Sequence, residues 1–202
     1  MPSDTPDIID HLAGIEPGSA LDGIRAARQQ ARDNAQASYR ALFAPAEAGA
    51  VSLEERFAIA AFVAGLHHQP PEAEFYAARL TEAARTPDLA AAIAAEVDAA
   101  RAEGPAGHFP PGPLSAEDTE APAYAIPAPR RAALGDRLAA ALEHAQMLVF
   151  HPRDARPEAL QALLAAGWTT MGIVTLSQIV AFLSFQLRVT LGLRAMAAAA
   201  RP

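Results

Sequence analysis

The densest group of proton-moving side chains lies mid-chain, where His67 and His68 are followed by Gln69, Pro70, Pro71, Glu72, Glu74 and Tyr76. Imidazole, carboxyl and phenol groups in one short stretch can supply general acid–base chemistry, with a histidine as base and Glu72 or Tyr76 as acid. Gln69, Glu74 and, from a distant helix, Arg188 complete the candidate site as binding residues. No metal is expected, because adjacent histidines on a helix project about 100° apart and zinc or iron sites need several convergent ligands. The same histidines equally suit a helix end, where they bond the last carbonyls and favour the negative end of the dipole. Both readings are open on the sequence alone.

The remaining chemistry-bearing residues are more scattered. His144 and His151 are seven apart, which on a helix separates them by roughly 10 Å and rules out a shared metal. They are expected to be packed or surface residues, and His108 to be solvated. Asp136 and Glu143 lack the spacing of a working acid pair. Gln178 and Gln186 are expected on one helix face, bonding to a neighbouring helix, and Arg188 must meet an acid or emerge from its apolar surroundings. The chain has no phosphate-cradling glycine loop, Gly-x-Ser-x-Gly turn or His-Glu-x-x-His motif. No cofactor is expected.

Composition removes further chemistries. Among 202 residues there is no cysteine, which excludes disulfides, thiolate metal sites and cysteine nucleophiles. All 16 basic residues are arginine, so Schiff-base and phosphate-loop lysines are excluded as well. A net charge of -7 argues against nucleic acid as a partner, since that affinity rests on a basic face releasing counterions. The acidic, proline-bearing start has no signal-peptide pattern, and a cytoplasmic location is expected.

The elements that must position these residues read as helices throughout. A hydrophobic fraction of 51% with only 6% aromatic reflects abundant alanine, the strongest helix former. Pro6 suits the first turn of a helix over 7–13 capped by Asp4 or Thr5, and Ser19 caps one running to Phe43. Ser52-Leu53-Glu54-Glu55 is a capping box opening a nearly chargeless, hence central, helix to Leu66. Helices are expected over 72–84 and from the cap pair Thr86-Pro87 to about Glu103. The stretch 104–129, with seven prolines and three glycines, is expected to be irregular. Helices resume from Arg130 to His151, from Pro157 to Ala166, and from Thr170 to a frayed end at 197–200. The uncharged stretch 159–187 is long enough for a membrane span. Gly167 divides it, however, and Ser177, Gln178, Ser184 and Gln186 suit a protein core better than lipid, so no membrane is expected.

Two stretches together resemble the carboxymuconolactone decarboxylase and alkylhydroperoxidase (AhpD-like) superfamily. One is Val51-Ser52-Leu53-Glu54-Glu55-Arg56 followed by 59–64, similar to that superfamily's "leucine-serine, glutamate-arginine, apolar helix" opening. The other is 163–168, Ile173-Val174, 178–182, Phe185, Arg188 and Gly192-Leu193, similar to the C-terminal helix pair of its peroxidase-related branch, and 142–152 is similar to its approach. The resemblance implies an all-α AhpD-like bundle of seven to eight helices, with N-terminal helices over 1–50 and a core over 51–202 interrupted by the proline-rich loop. It also implies homo-oligomers, as dimers, trimers or hexamers joined through apolar helices. The family's Cys-x-x-Cys pair, histidine and relay glutamate fall on Gln69, Glu72, Tyr76 and Phe57, so thiol peroxidase chemistry is lost. The expectation is an oligomeric small-molecule-binding or accessory protein. The alternatives are a thiol-independent decarboxylase or lactone-type enzyme using His67 or His68 with Glu72 or Tyr76, and a structural partner of a cysteine-bearing paralogue.

Overall fold

A computed structural model describes residues 6–122 and 124–200 of the chain. The described residues form an all-α fold of ten α-helices with no strand, somewhat more than the seven to eight expected. They are α1 (Ile8–Ala13), α2 (Ala20–Ala26), α3 (Gln29–Phe43), α4 (Leu53–Leu66), α5 (Pro70–Ala83), α6 (Leu89–Ala100), α7 (Ala128–Leu134), α8 (Asp136–Phe150), α9 (Pro157–Ala165) and α10 (Thr170–Ala199).

α4 is the axis of the molecule. Ala58, Ile59, Ala60, Phe62, Val63 and Ala64 are fully enclosed, because α5, α6, α8 and α10 all pack around it. The expected capping box is present: Glu55 N donates to Ser52 Oγ at 3.2 Å and Ser52 N donates to Glu55 Oε2 at 2.8 Å. The next residue, Arg56, is buried and donates to the carbonyls of Leu42, Ala48 and Val51, so it ties down the whole α3–α4 connection. Burial holds its guanidinium below the usual arginine range. Arg137, at the start of α8, donates to Glu55 Oε1 at 2.6 Å and to Ala50 O at 2.8 Å. Its guanidinium lies over the Trp168 ring at 4.2 Å, and the indole N–H donates to Arg137 O. The glutamate-arginine opening and the Gly167-Trp168 turn are thereby joined through one arginine.

Several boundaries differ from expectation. α1 is capped by Asp7, whose side chain accepts from Ile9 N and Asp10 N; Asp4 and Thr5 lie outside the described residues. The helix from Ser19 breaks at Ala27-Arg28. On either side of the break, Arg25 and Arg32 converge on Asp7 and Asp10 of the α1 start. α5 begins two residues early because Pro70 and Pro71 occupy its first positions, where a missing N–H costs nothing. α6 starts at Leu89 without a side-chain cap, so Thr86-Pro87 is not its opening, and it ends at Ala100. The helix expected from Arg130 to His151 is divided at Gly135, which has φ +80. α1 and α3 contribute Ile9, Leu12, Tyr39 and Phe43 to the same apolar core as the later helices.

The proline-rich stretch is irregular except for a 3₁₀ helix over Pro113–Glu117 and the start of α7 at Ala128, and it is anchored. Gly107 pairs with Thr119, His108 N donates to Asp154 Oδ1 at 3.0 Å, and the Arg153 guanidinium covers the Phe109 ring at 3.9 Å. The His108 backbone bond and the adjacent imidazoles of His108 and His151 hold the Asp154 carboxyl below its usual range.

Candidate functional site

The candidate site residues divide between the two sides of α5. Glu72 and Tyr76 are four apart, one helical turn, and point together into the protein; both are 0% exposed. Facing them on α10 are Gln186, Thr190 and Arg194, again at steps of four. Tyr76 donates its hydroxyl to Gln186 Oε1 at 2.6 Å. Thr190 donates to Glu72 Oε1, and Arg194 donates to both Glu72 oxygens, at 2.7 and 3.1 Å. The same guanidinium reaches Gln69 Oε1 at 3.2 Å and Leu12 O at 3.1 Å, so it links α1, α5 and α10. Burial pushes the Tyr76 phenol well above its usual range. The result is a closed polar seam in which the Glu72 carboxylate is neutralised and both of its oxygens are engaged.

His67 caps the C-terminus of α4, with its N–H bonded to Val63 O. Its Nε2 is buried without a protein partner. Burial, reinforced by the Arg188 charge, lowers its pKa to about 4, so the ring is neutral at physiological pH. Arg188 emerges to solvent, where it donates to Ser184 O at 2.7 Å, and Glu74 is exposed. Gln178 and Gln186, expected on one face, are separated: Gln186 is buried and Gln178 exposed, because eight residues leave them about 80° apart on a helix. His144 is packed within α8, and burial lowers its pKa.

His68 lies on the outer side, at the mouth of a groove between α4, α5 and α6. The groove has a volume of about 350 Å³. Its walls are small and apolar, including Ala61, Gly65, Ala77 and Ala94, and its deep end is made by Leu80 and Ile93. Gly65 is what brings α4 and α6 together: a β-carbon there would sit 2.8 Å from both Val97 methyls, and valine's branched side chain cannot swing aside. His68 has φ +53, the one non-glycine residue with positive φ among the described residues. It occupies the position after the α4 cap where glycine is the usual choice. Arg101, just past α6, donates from Nη1 to His68 Nδ1 at 2.7 Å and from Nε to Asp98 Oδ1 at 3.1 Å. Since arginine can only donate, Nδ1 is the acceptor and the ring proton sits on Nε2. An apolar trough thus ends in an imidazole N–H and a guanidinium whose Nε and Nη2 pair with Asp98, itself a lining residue of the groove, at 3.1 Å.

Arg101, Thr190 and Arg194 were not singled out from the sequence. The four-residue step Gln186, Thr190, Arg194 in an otherwise apolar helix was a readable sign of a polar seam. The pairing of Arg194 with Glu72 across 122 positions was not. The fold and site define an all-α protein with an apolar groove bordered by a histidine–arginine pair. Comparison of the chain with models of known protein families, with curated proteins and with solved structures finds no match.

Proposed function

We propose that the protein binds a small molecule in the α4–α5–α6 groove, an apolar body ending in a carboxylate or similar oxygen anion, and that it performs no thiol chemistry. The observation that carries this reading is the groove with His68 and Arg101 at its mouth. A left-handed conformation at a β-carbon-bearing residue costs roughly 1–2 kcal/mol, and such departures concentrate where a side chain serves a ligand. Size fits a medium-chain or monocyclic aromatic acid, since pockets for small molecules begin at about 300 Å³. The resemblance to AhpD-like proteins agrees with a helical binding protein and, without cysteines, with a role other than peroxide reduction.

The acid–base enzyme is the weaker reading. Glu72 is held by Arg194 and Thr190, Tyr76 donates to Gln186, and both face away from the groove that His68 borders. A base and its acid on opposite sides of one helix cannot share a substrate. Calorimetric titration with sodium decanoate tests the proposal: wild type is expected to release or absorb heat with saturation, and Ala94→Phe, which fills the trough, is expected to lose the response. Equal binding by both proteins would contradict it.

A further inference from the structure

The exposed side of α10 carries a pattern that the helix's overall apolar character conceals. Met171, Val174, Gln178, Ala181, Phe185, Arg188 and Gly192 are all exposed, and their spacing alternates three and four residues. That is the a/d repeat of a left-handed helix pair, which keeps one stripe facing a second helix over several turns. The exposure is large for such residues, 69% for Met171, 45% for Val174 and 47% for Phe185. By length and composition α10 could also cross a membrane, but its opposite side is occupied by α1, α3, α4 and α8. Gln178 and Arg188 interrupt the stripe, which lipid would penalise and a protein partner can satisfy.

We infer that this stripe is a docking surface for a second copy of the same chain, packed antiparallel about a two-fold axis near residue 183. The choice of partner follows from complementarity within the stripe itself. In an antiparallel pair each layer joins an a position to a d position. One register places Ala181 opposite Phe185 of the second copy, Gln178 opposite Arg188, and Val174 opposite Gly192. Small meets large in the apolar layers, and the only two polar residues meet each other, the glutamine amide oxygen accepting from the guanidinium. Beside Ala181, α3 and α10 enclose a groove of about 370 Å³ walled by Ser38, Ala41, Leu42 and Phe182 and bordered by the chain's own Gln178 and Phe185. This hollow can receive the incoming phenylalanine ring, and symmetry supplies the same fit twice. A parallel pair would instead set Arg188 against Arg188, and the next antiparallel register would face Gln178 with the Ala181 methyl.

The chain's lack of cysteine makes the test clean. Light scattering at micromolar concentration is expected to give twice the 21.1 kDa of one chain, and Phe185→Glu, an exposed substitution, to give the single-chain mass with unchanged helical circular dichroism. Val174→Cys and Gly192→Cys proteins, mixed and oxidised, are expected to cross-link to each other. Neither should cross-link alone, because like positions lie roughly 27 Å apart along the axis. A monomeric wild type, a dimer indifferent to Phe185→Glu, self-cross-linking of Val174→Cys, or sedimentation of the wild type with phosphatidylcholine vesicles would each overturn the inference.

Discussion

Replacing Arg194 by methionine removes the cation bonded to Glu72 while keeping much of the apolar stem. The carboxylate it leaves behind is 0% exposed and keeps the Thr190 hydroxyl as a donor. Breaking one side of a buried pair in this way costs about 3–5 kcal/mol. The converse, Glu72→Leu, leaves an arginine whose side chain is 26% exposed and which still reaches Leu12 O and Gln69 Oε1. Its long stem lets the charge find water, so about 2 kcal/mol is expected. The double variant removes both charges and substitutes apolar volume, which at buried ion pairs is often nearly neutral. It is therefore expected to be more stable than Arg194→Met alone, far short of the about 5–7 kcal/mol that the two single costs would give if they added. Urea unfolding followed by circular dichroism at neutral pH measures all four corners of the cycle. Additive costs, or a loss below about 1 kcal/mol for Arg194→Met, would refute the closed seam and return Glu72 to the list of available acids.

Two further outcomes follow from the histidines. His68→Gly is expected to change stability by less than about 1 kcal/mol, since relief of the left-handed strain offsets glycine's extra chain entropy. The same change should weaken decanoate binding by about tenfold through loss of one charge-assisted hydrogen bond; unchanged affinity would remove His68 from the site. For His67, a folded pKa near 4 lies below the unfolded value of about 6.5, so the unfolded chain binds the extra proton first. The stabilising contribution is complete above pH 6.5 and is lost as pH falls towards 4, by about 1–2 kcal/mol at pH 5 after allowance for partial exposure. His67→Leu should flatten that slope in urea unfolding at pH 5 and 7, and an unaltered slope would mean another group is responsible.

What the sequence made legible was local. The Ser52–Glu55 box, the Ser19 cap, the Gly167 stop and the near-chargeless α4 each depend on a few adjacent residues, and each is found as expected. Breaks were harder. Nothing around Ala27-Arg28 lacks helix propensity, and that break coincides with the clustering of Arg25 and Arg32 on distant acids, a tertiary effect that overrides local preference. The residues from His67 to Tyr76 read in sequence as one cluster, and the fold divides them. Neighbours in sequence from His67 to Tyr76 are spread over the α4–α5 turn and the inner face of α5, and a pattern of residue types cannot say which of them meets which helix. The residues that decide this, Arg101 and Arg194, lie 33 and 122 positions from their partners.

Occupancy of the α4–α5–α6 groove by a ligand can be read residue by residue in solution. The most direct measurement is a titration of the ¹⁵N-labelled protein with sodium decanoate, followed by amide chemical shifts. Saturable shifts concentrated at Gly65, Ala77, Ala94 and Arg101, with the Glu72–Tyr76–Thr190 seam changing little, are the predicted result. Absence of saturable shifts, or shifts centred on the seam or elsewhere on the surface, would contradict the account.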